Sequence, residues 1–148
     1  VVSGLIAIFF TDFKYRIIPD QILVFLSMTA STYLIIYAKN DIFIHLTAGV
    51  ILFLIFLSLV LITRGKGMGL GDVKFAFVMG FILGIPKIIV AFYLSFLTGA
   101  AFSLILIMMG KKSMKSTIPF GPFLALSTGA SLLYGDRLWN ILRGFIGL

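Results

Sequence analysis

The chain is 148 residues long; 61% of its residues are hydrophobic, only 11% are charged, and its formal net charge is +7. Soluble domains are about 45–50% apolar and about 25% charged, so this composition excludes an ordinary soluble domain and indicates an integral membrane protein. The length suits one domain, residues 1–148. With no cysteine and one histidine, the sequence excludes disulfides and a cysteine nucleophile, and it argues against a thiolate or multi-histidine metal site.

The apolar segments predict an all-α fold, a polytopic membrane helix bundle of about six transmembrane segments. The first segment, residues 1–10, ends at Phe10. A spanning helix needs about 20 residues, and the chain starts with neither a methionine nor the basic region of a signal peptide. We therefore expect upstream sequence to be missing and the first helix to be truncated at its N terminus.

Five further segments follow in chain order, at residues 22–38, 42–62, 73–85, 88–109 and 118–134. Pro19-Asp20 marks the start of the second helix, with Asp20 as its N-cap. The fourth segment reaches only about 20 Å at 1.5 Å per residue, so it is short for a bilayer unless its ends lie in protein. The tail, residues 136–148, has apolar residues at helical spacing and predicts a separate helix, either at the membrane interface or against the bundle.

The loop charges predict the orientation of the bundle. Four basic residues fall at one end, Lys39, Lys87, Arg137 and Arg143, and the other end receives eight, Lys14, Arg16, Arg64, Lys66, Lys74, Lys111, Lys112 and Lys115. The positive-inside rule then places the second end in the cytoplasm. The positive charge indicates topology and attraction to anionic membrane lipid; no basic–aromatic repeat indicates a nucleic-acid partner.

On this topology two acids reach the same membrane depth from different helices. Asp12 ends the first helix and Asp72 begins the fourth, and an ionisable residue at a membrane segment is by default a functional hypothesis. Structural roles stay open: Asp72 could be an N-cap, and Asp12 could be an interface acid paired with Lys14 or Arg16. The remaining acids, Asp41 and Asp136, are predicted as loop or cap residues.

A carboxylate pair has a well-defined chemistry. At a separation of a few ångströms both groups cannot easily ionise, so they share a proton. One carboxylate can then activate a water while the protonated one polarises a carbonyl, which hydrolyses an amide without metal or other cofactor. The helix dipoles favour the anion at Asp72, at a helix N terminus, over Asp12, at a C terminus.

Glycines mark two further features of the sequence. The stretch GMGLGD, residues 67–72, is neither a phosphate-binding loop nor a dinucleotide fingerprint. Gly80 and Gly84 form a GxxxG pair, which predicts close helix packing. His45 falls near the opposite end and is expected to be hydrogen-bonded within the bundle.

Three motifs resemble those of the type IV prepilin peptidases. TDFKYRIIPD resembles their first aspartate motif, D-x6-P-[DN]; GMGLGDVK resembles their GxGD motif with its following helix and lysine; and IPFGPFLALSTGASLLYG resembles the proline–glycine motif that opens the last span. The motifs occur in the family's order and cover most of the chain.

The resemblance implies a membrane-embedded aspartic peptidase of the GxGD class, with Asp12 and Asp72 as its catalytic residues. Gly69, Gly71 and Lys74 match the active-site loop, whose glycines are expected to let the backbone turn and approach a substrate strand. Matching the third motif, a possible wall of the cleft, are Pro119, Phe120, Gly121 and Pro122.

The implied substrates are precursors of type IV pilins and of the pseudopilins of type II secretion, cut after the leader glycine at the cytoplasmic face of a prokaryotic inner membrane. Many members also carry an N-terminal CxxC region and methylate the new pilin N terminus. No part of this sequence matches that region, so either it lies upstream or the chain is a peptidase-only member; methylation is not assigned to these residues.

Other classes of function remain open at this stage. A small proton- or ion-coupled transporter also uses intramembrane acids, although usually near the midplane between repeats. A non-catalytic membrane assembly subunit would tolerate alanine at Asp12 and Asp72. Within the proteases, a preflagellin peptidase or a general intramembrane protease is the nearest competitor.

Overall fold

The structure, a computed structural model, describes residues 1–65, 68–110 and 119–146, with side chains as far as residue 144. These residues form helices joined by short connections and contain no strand. The helices are α1 (Val2–Tyr15), α2 (Asp20–Tyr37), α3 (Ile42–Thr63), α4 (Leu70–Leu83), α5 (Lys87–Met108) and α6 (Gly121–Ile146), with a 3-10 turn, Lys39–Asp41, before α3. The predicted all-α fold is confirmed.

Among the described residues, three helical stretches are long and apolar enough to cross a membrane: Asp20–Tyr37, Lys39–Thr63 and Lys87–Met108. Many of their large apolar side chains point outward, including Phe25, Leu54 and Leu97. Outward-facing apolar surface on helices of this length is what lipid contact requires. The chain is therefore a multi-pass membrane protein.

Helix α4 lies at the centre of the bundle. It contacts α2, α3, α5 and α6, and Phe75, Ala76 and Met79 on it are fully buried. At 14 residues it spans only about 21 Å, and both its ends lie against protein, as the short fourth segment required. Asp72 is buried near its start, and Gly84 lies against His45 after its end.

Close contact between α3 and α4 depends on glycine. A Cβ atom added to Gly80 would lie 2.6 Å from the Ala48 carbonyl oxygen and from the Gly49 Cα. Nearby, His45 Nδ1 lies 2.9 Å from the Phe81 carbonyl oxygen. The predictions of glycine-mediated helix packing and of a hydrogen-bonded histidine are both confirmed.

Three predicted boundaries differ from the structure. Helix α1 continues past Phe10 to Tyr15; Thr11 is accommodated because its hydroxyl donates to the Ala7 carbonyl oxygen at 2.8 Å. Asp20 is not the N-cap of α2: Pro19 takes that position, and the Asp20 carboxylate pairs instead with Lys74. The tail is not a separate helix either.

Helix α6 instead runs unbroken for 26 residues. Gly135, which lies between the predicted sixth segment and the predicted tail helix, is helical, and α5 begins against it: an added Cβ would lie 2.9 Å from the Lys87 Cγ. Lys87 also forms an ion pair with Asp136 at 2.9 Å. Through these two contacts, the start of α5 packs against α6 at the beginning of its last turns.

We call the end that contains the last turn of α1 and the first turns of α2, α4 and α6 the acid end. In the described residues it carries Lys14, Arg16, Arg64 and Lys74, and an equal number of basic residues lies towards the opposite end. Lys66, Lys111, Lys112 and Lys115, which supply the predicted excess, lie outside the described residues.

The α3–α4 contact yields a test of the packing. Gly80→Ala should destabilise the fold by about 1–3 kcal/mol, because the methyl group meets backbone atoms that cannot rotate away. Gly129→Ala on α6 is the matched control, since a Cβ there meets only Leu5 Cδ1, at 3.9 Å. Thermal unfolding in detergent measures both variants. A Gly80→Ala protein as stable as the wild type would contradict the close contact.

Candidate active site

Asp12 lies in the last turn of α1 and points into the bundle. Its side chain is only 5% exposed. The helix ends just beyond it, where Arg16 adopts a left-handed conformation with φ 55° and its N–H donates to the Asp12 carbonyl oxygen at 2.9 Å. Gly121, the first residue of α6, lies directly against the carboxyl group: an added Cβ would be 2.6 Å from Asp12 Oδ2.

Asp72 occupies the third position of α4 and is 8% exposed. Its Oδ2 accepts the Gly69 N–H at 3.1 Å, while its own N–H donates to the Gly69 carbonyl oxygen at 3.2 Å. This reciprocal bonding satisfies amides that the helix start would leave without partners. Asp72 is therefore not the N-cap itself; it is the acid that closes a capping box on Gly69.

The fold brings these two carboxyl groups together. Each lies at the acid end, and they are near enough to interact electrostatically. In the described part of the chain, no protein group hydrogen-bonds to Asp12 Oδ2 or to Asp72 Oδ1, although both atoms are buried. Leaving a buried polar atom unpaired costs about 1–3 kcal/mol, so this arrangement marks a candidate functional site more than a stabilising feature.

The loop glycines differ in how much space surrounds them. Gly69 has an extended backbone with φ −85°, which any residue can adopt, and an added Cβ would meet nothing closer than Asp72 Oδ2 at 3.8 Å. Gly71 is tighter, because its Cβ would lie 3.4 Å from the buried Ile18. The backbone conformation at Gly69 therefore does not require glycine, although the sequence analysis expected glycine to let the backbone turn there.

The third motif forms the start of α6. Phe120 packs against Phe96 and Phe56, with ring centroids 5.0 and 6.2 Å apart, and so anchors this end of α6 to α5 and α3. Pro119 and Pro122 line a cavity of about 460 Å³ between α1, α5 and α6. Arg16 also lines this cavity, whereas Asp12 and Asp72 do not.

Three other titratable residues, Asp41, Asp136 and His45, lie apart from this site. Asp41 is exposed in the 3-10 turn, while Asp136 and His45 lie at the opposite end. Across residues 1–65, 68–110 and 119–146, no three His, Cys, Asp or Glu side chains come together as a set that could hold a metal ion.

Comparison with known proteins identifies the family of the chain. The sequence profile described as the type IV leader peptidase family matches residues 1–104. The chain belongs to the type IV leader peptidase family. Three curated relatives named prepilin leader peptidase/N-methyltransferase illustrate the relationship: the protein of Bacillus subtilis is 31% identical over 93% of this chain and 55% of its own length.

The Legionella pneumophila relative is 32% identical over 95% of this chain and 50% of its own length, and that of Pseudomonas aeruginosa is 28% identical over 97% and 51%. The chain thus spans about half the length of the curated relatives it matches. No solved structure gives a significant match.

Sequence reasoning missed one contact beside the acids. Lys74, predicted as part of the active-site loop, forms an ion pair with Asp20, and its Nζ lies 2.9 Å from both carboxylate oxygens. The pair joins the start of α2 to the first turns of α4. The signal available in the sequence was an acid, Asp20, shortly after Asp12 and a base, Lys74, shortly after Asp72, but spacing alone could not show that these two charges meet.

A double-mutant cycle tests this ion pair. The Lys74 and Asp20 side chains are 53% and 67% exposed, so Asp20→Asn and Lys74→Gln should show a coupling of only about 0.2–1 kcal/mol, weaker at high salt. Unfolding in detergent at two salt concentrations measures this coupling. A salt-independent coupling of several kcal/mol would contradict an exposed pair.

Proposed function

We propose that the chain is the peptidase part of a prepilin leader peptidase, an aspartic endopeptidase of the GxGD class. Its substrates are the precursors of type IV pilins or pseudopilins, which it cuts after the leader glycine. One observation carries the proposal: in a chain of this family, two buried carboxyl groups on separate helices lie at one end of the bundle, near enough to interact electrostatically, and each has an oxygen that accepts no hydrogen bond from a described protein group.

Hydrolysis would use the two acids in different protonation states. One carboxylate accepts a proton from a water molecule, whose oxygen attacks the carbonyl carbon of the scissile bond. The other acid is protonated and donates a hydrogen bond to the carbonyl oxygen, which becomes negatively charged in the tetrahedral intermediate. As the C–N bond breaks, the proton held by the first acid passes to the leaving amine.

The surroundings of the pair support this use. The Gly69 N–H holds one oxygen of Asp72, and the rigid first turn of α6 stands against Asp12. Carboxyl groups held on helices keep the geometry that acid–base catalysis requires. A cavity walled by Pro119, Pro122 and Phe123 lies between α1, α5 and α6, and α1 and α6 are the helices that contact each other at Asp12.

The orientation is part of the proposal. The acid end faces the cytoplasm of a prokaryotic inner membrane, where the basic leader of a precursor would reach the pair. The loop charges of the whole sequence support this. A transporter fits less well, because the buried acids lie at one end of the helices and not at their midpoints.

Cleavage of a prepilin-like precursor in liposomes tests the proposal. Asp12→Asn and Asp72→Asn keep the size of each side chain but remove its ability to exchange a proton, so either should lower kcat at least about 100-fold. Asp41→Asn is the matched control, since Asp41 is exposed in the 3-10 turn; it should cleave at the wild-type rate.

Folding of each variant is checked by thermal unfolding. A folded Asp12→Asn or Asp72→Asn protein that cuts at the wild-type rate would rule out the dyad. A wild-type chain that cuts no prepilin or pseudopilin precursor would overturn the proposed substrate class.

A further inference from the structure

The contact between α1 and α6 is closest at the Asp12 carboxyl group. The three heavy atoms nearest to a Cβ built on Gly121 all belong to Asp12: Oδ2 at 2.6 Å, Cγ at 2.8 Å and Cβ at 3.1 Å. The shortest of these distances is one that real Cβ atoms essentially never show. Only a hydrogen atom can stand between the backbone of α6 and this carboxyl group.

The first turn of α6 also presents an amide there that no described backbone carbonyl accepts. Pro122 has no N–H, and the Phe123 N–H donates to the Phe120 carbonyl oxygen at 3.0 Å. Gly121 therefore keeps the one N–H among the first three residues of α6 that no described backbone carbonyl accepts. A helix N terminus with a free amide stabilises a neighbouring carboxylate.

The two acids are thus held in comparable ways. Gly69 donates its N–H to Asp72 at 3.1 Å, and Gly121 sets its backbone against Asp12. The steric demands differ, however: a methyl group on Gly69 would stay 3.8 Å from the nearest Asp72 oxygen, whereas one on Gly121 would overlap Asp12.

We propose that Gly121 is a positioning residue for Asp12: its lack of a side chain lets the first turn of α6 close onto the carboxyl group, and its N–H fixes the direction in which that group points. The inference rests on the proposed function for its effect on catalysis. It assigns the glycine of the third motif a task that Gly69 performs for the other acid with less steric constraint.

Cleavage kinetics of two glycine-to-alanine variants test it. Gly121→Ala should lower kcat about 100-fold, the effect of displacing a catalytic group by about 1 Å, and should leave KM unchanged because Asp12 acts on the reacting bond and not on the rest of the substrate. Gly129→Ala is the matched control, because Gly129 lies on the same helix and an added Cβ there meets only Leu5 Cδ1, at 3.9 Å; it should keep most of the wild-type kcat. Equal losses in the two variants, or a Gly121→Ala loss confined to KM, would overturn the inference.

A spectroscopic measurement gives a result that does not depend on activity. The infrared difference between the wild type and Asp12→Asn identifies the carboxyl band of Asp12. Gly121→Ala should shift this band, and the control Gly129→Ala should leave it in place. An unshifted band in Gly121→Ala would overturn the inference even if precursor cleavage supports the proposed function; a shifted band in a chain that cuts no precursor would sustain the contact and reject the function.

A stability cycle covers the case in which Gly121→Ala folds poorly. Because the overlapping atoms belong to Asp12, Asp12→Ala removes the oxygen and Cγ that the new methyl group meets. Gly121→Ala should therefore lower the melting temperature less in the Asp12→Ala background than in the wild type. Equal losses in both backgrounds would show that α6 needs this glycine for another reason and would overturn the inference.

Discussion

The arrangement of the bundle depends on placing two carboxyl groups inside an apolar membrane protein. Burial of a carboxylate is strongly unfavourable unless polar groups compensate, and the described structure supplies few. Asp72 receives one amide, from Gly69, and Asp12 faces the start of α6 at Gly121. Both devices use helix N termini, which offer free N–H groups and a favourable dipole in a place where side-chain partners are scarce. Helices α4 and α6 each begin beside one of the two acids.

Close helix packing makes this geometry possible at both ends of the molecule. Inside a bilayer the hydrophobic effect does little to hold helices together, so tight contacts between small residues become important. Gly80 and Gly49 let α4 lie against α3 with their backbones in contact, and Gly135 admits the start of α5 against α6. These contacts hold α4 and α6 along their lengths. The first turn of α6, which carries Gly121, thus lies against Asp12 of α1, and the first turns of α4, which carry Asp72, lie against Ile18 and the start of α2.

The sequence predicted most of the fold because hydropathy reports lipid exposure directly. Helices α3 and α5 appear within one residue of their predicted positions, and the meeting of Asp12 and Asp72 followed from counting the membrane crossings. Local rules failed where a tertiary contact decides. Asp20 is of a residue type that favours the N-cap position, but its side chain pairs with Lys74. Gly135 separates two predicted helical segments, but it lies within one continuous helix, with α5 packed against it. The sequence could not predict the closeness of Gly121 to Asp12, because it depends on how α1 and α6, two helices distant in sequence, pack against each other.

That contact also changes the electrostatic argument about the pair. From the sequence, the dipole of α1 was expected to disfavour the ionised form of Asp12 at its C terminus, and the dipole of α4 to favour the ionised form of Asp72 at its N terminus. The structure adds the N terminus of α6 on the other side of Asp12, and its dipole opposes that of α1. The two acids consequently lie in more similar fields than the chain order suggests. Two acids in similar fields that also repel each other share a proton readily, and a shared proton is what general acid–base hydrolysis requires, since the reaction needs one acid charged and the other neutral at the same moment.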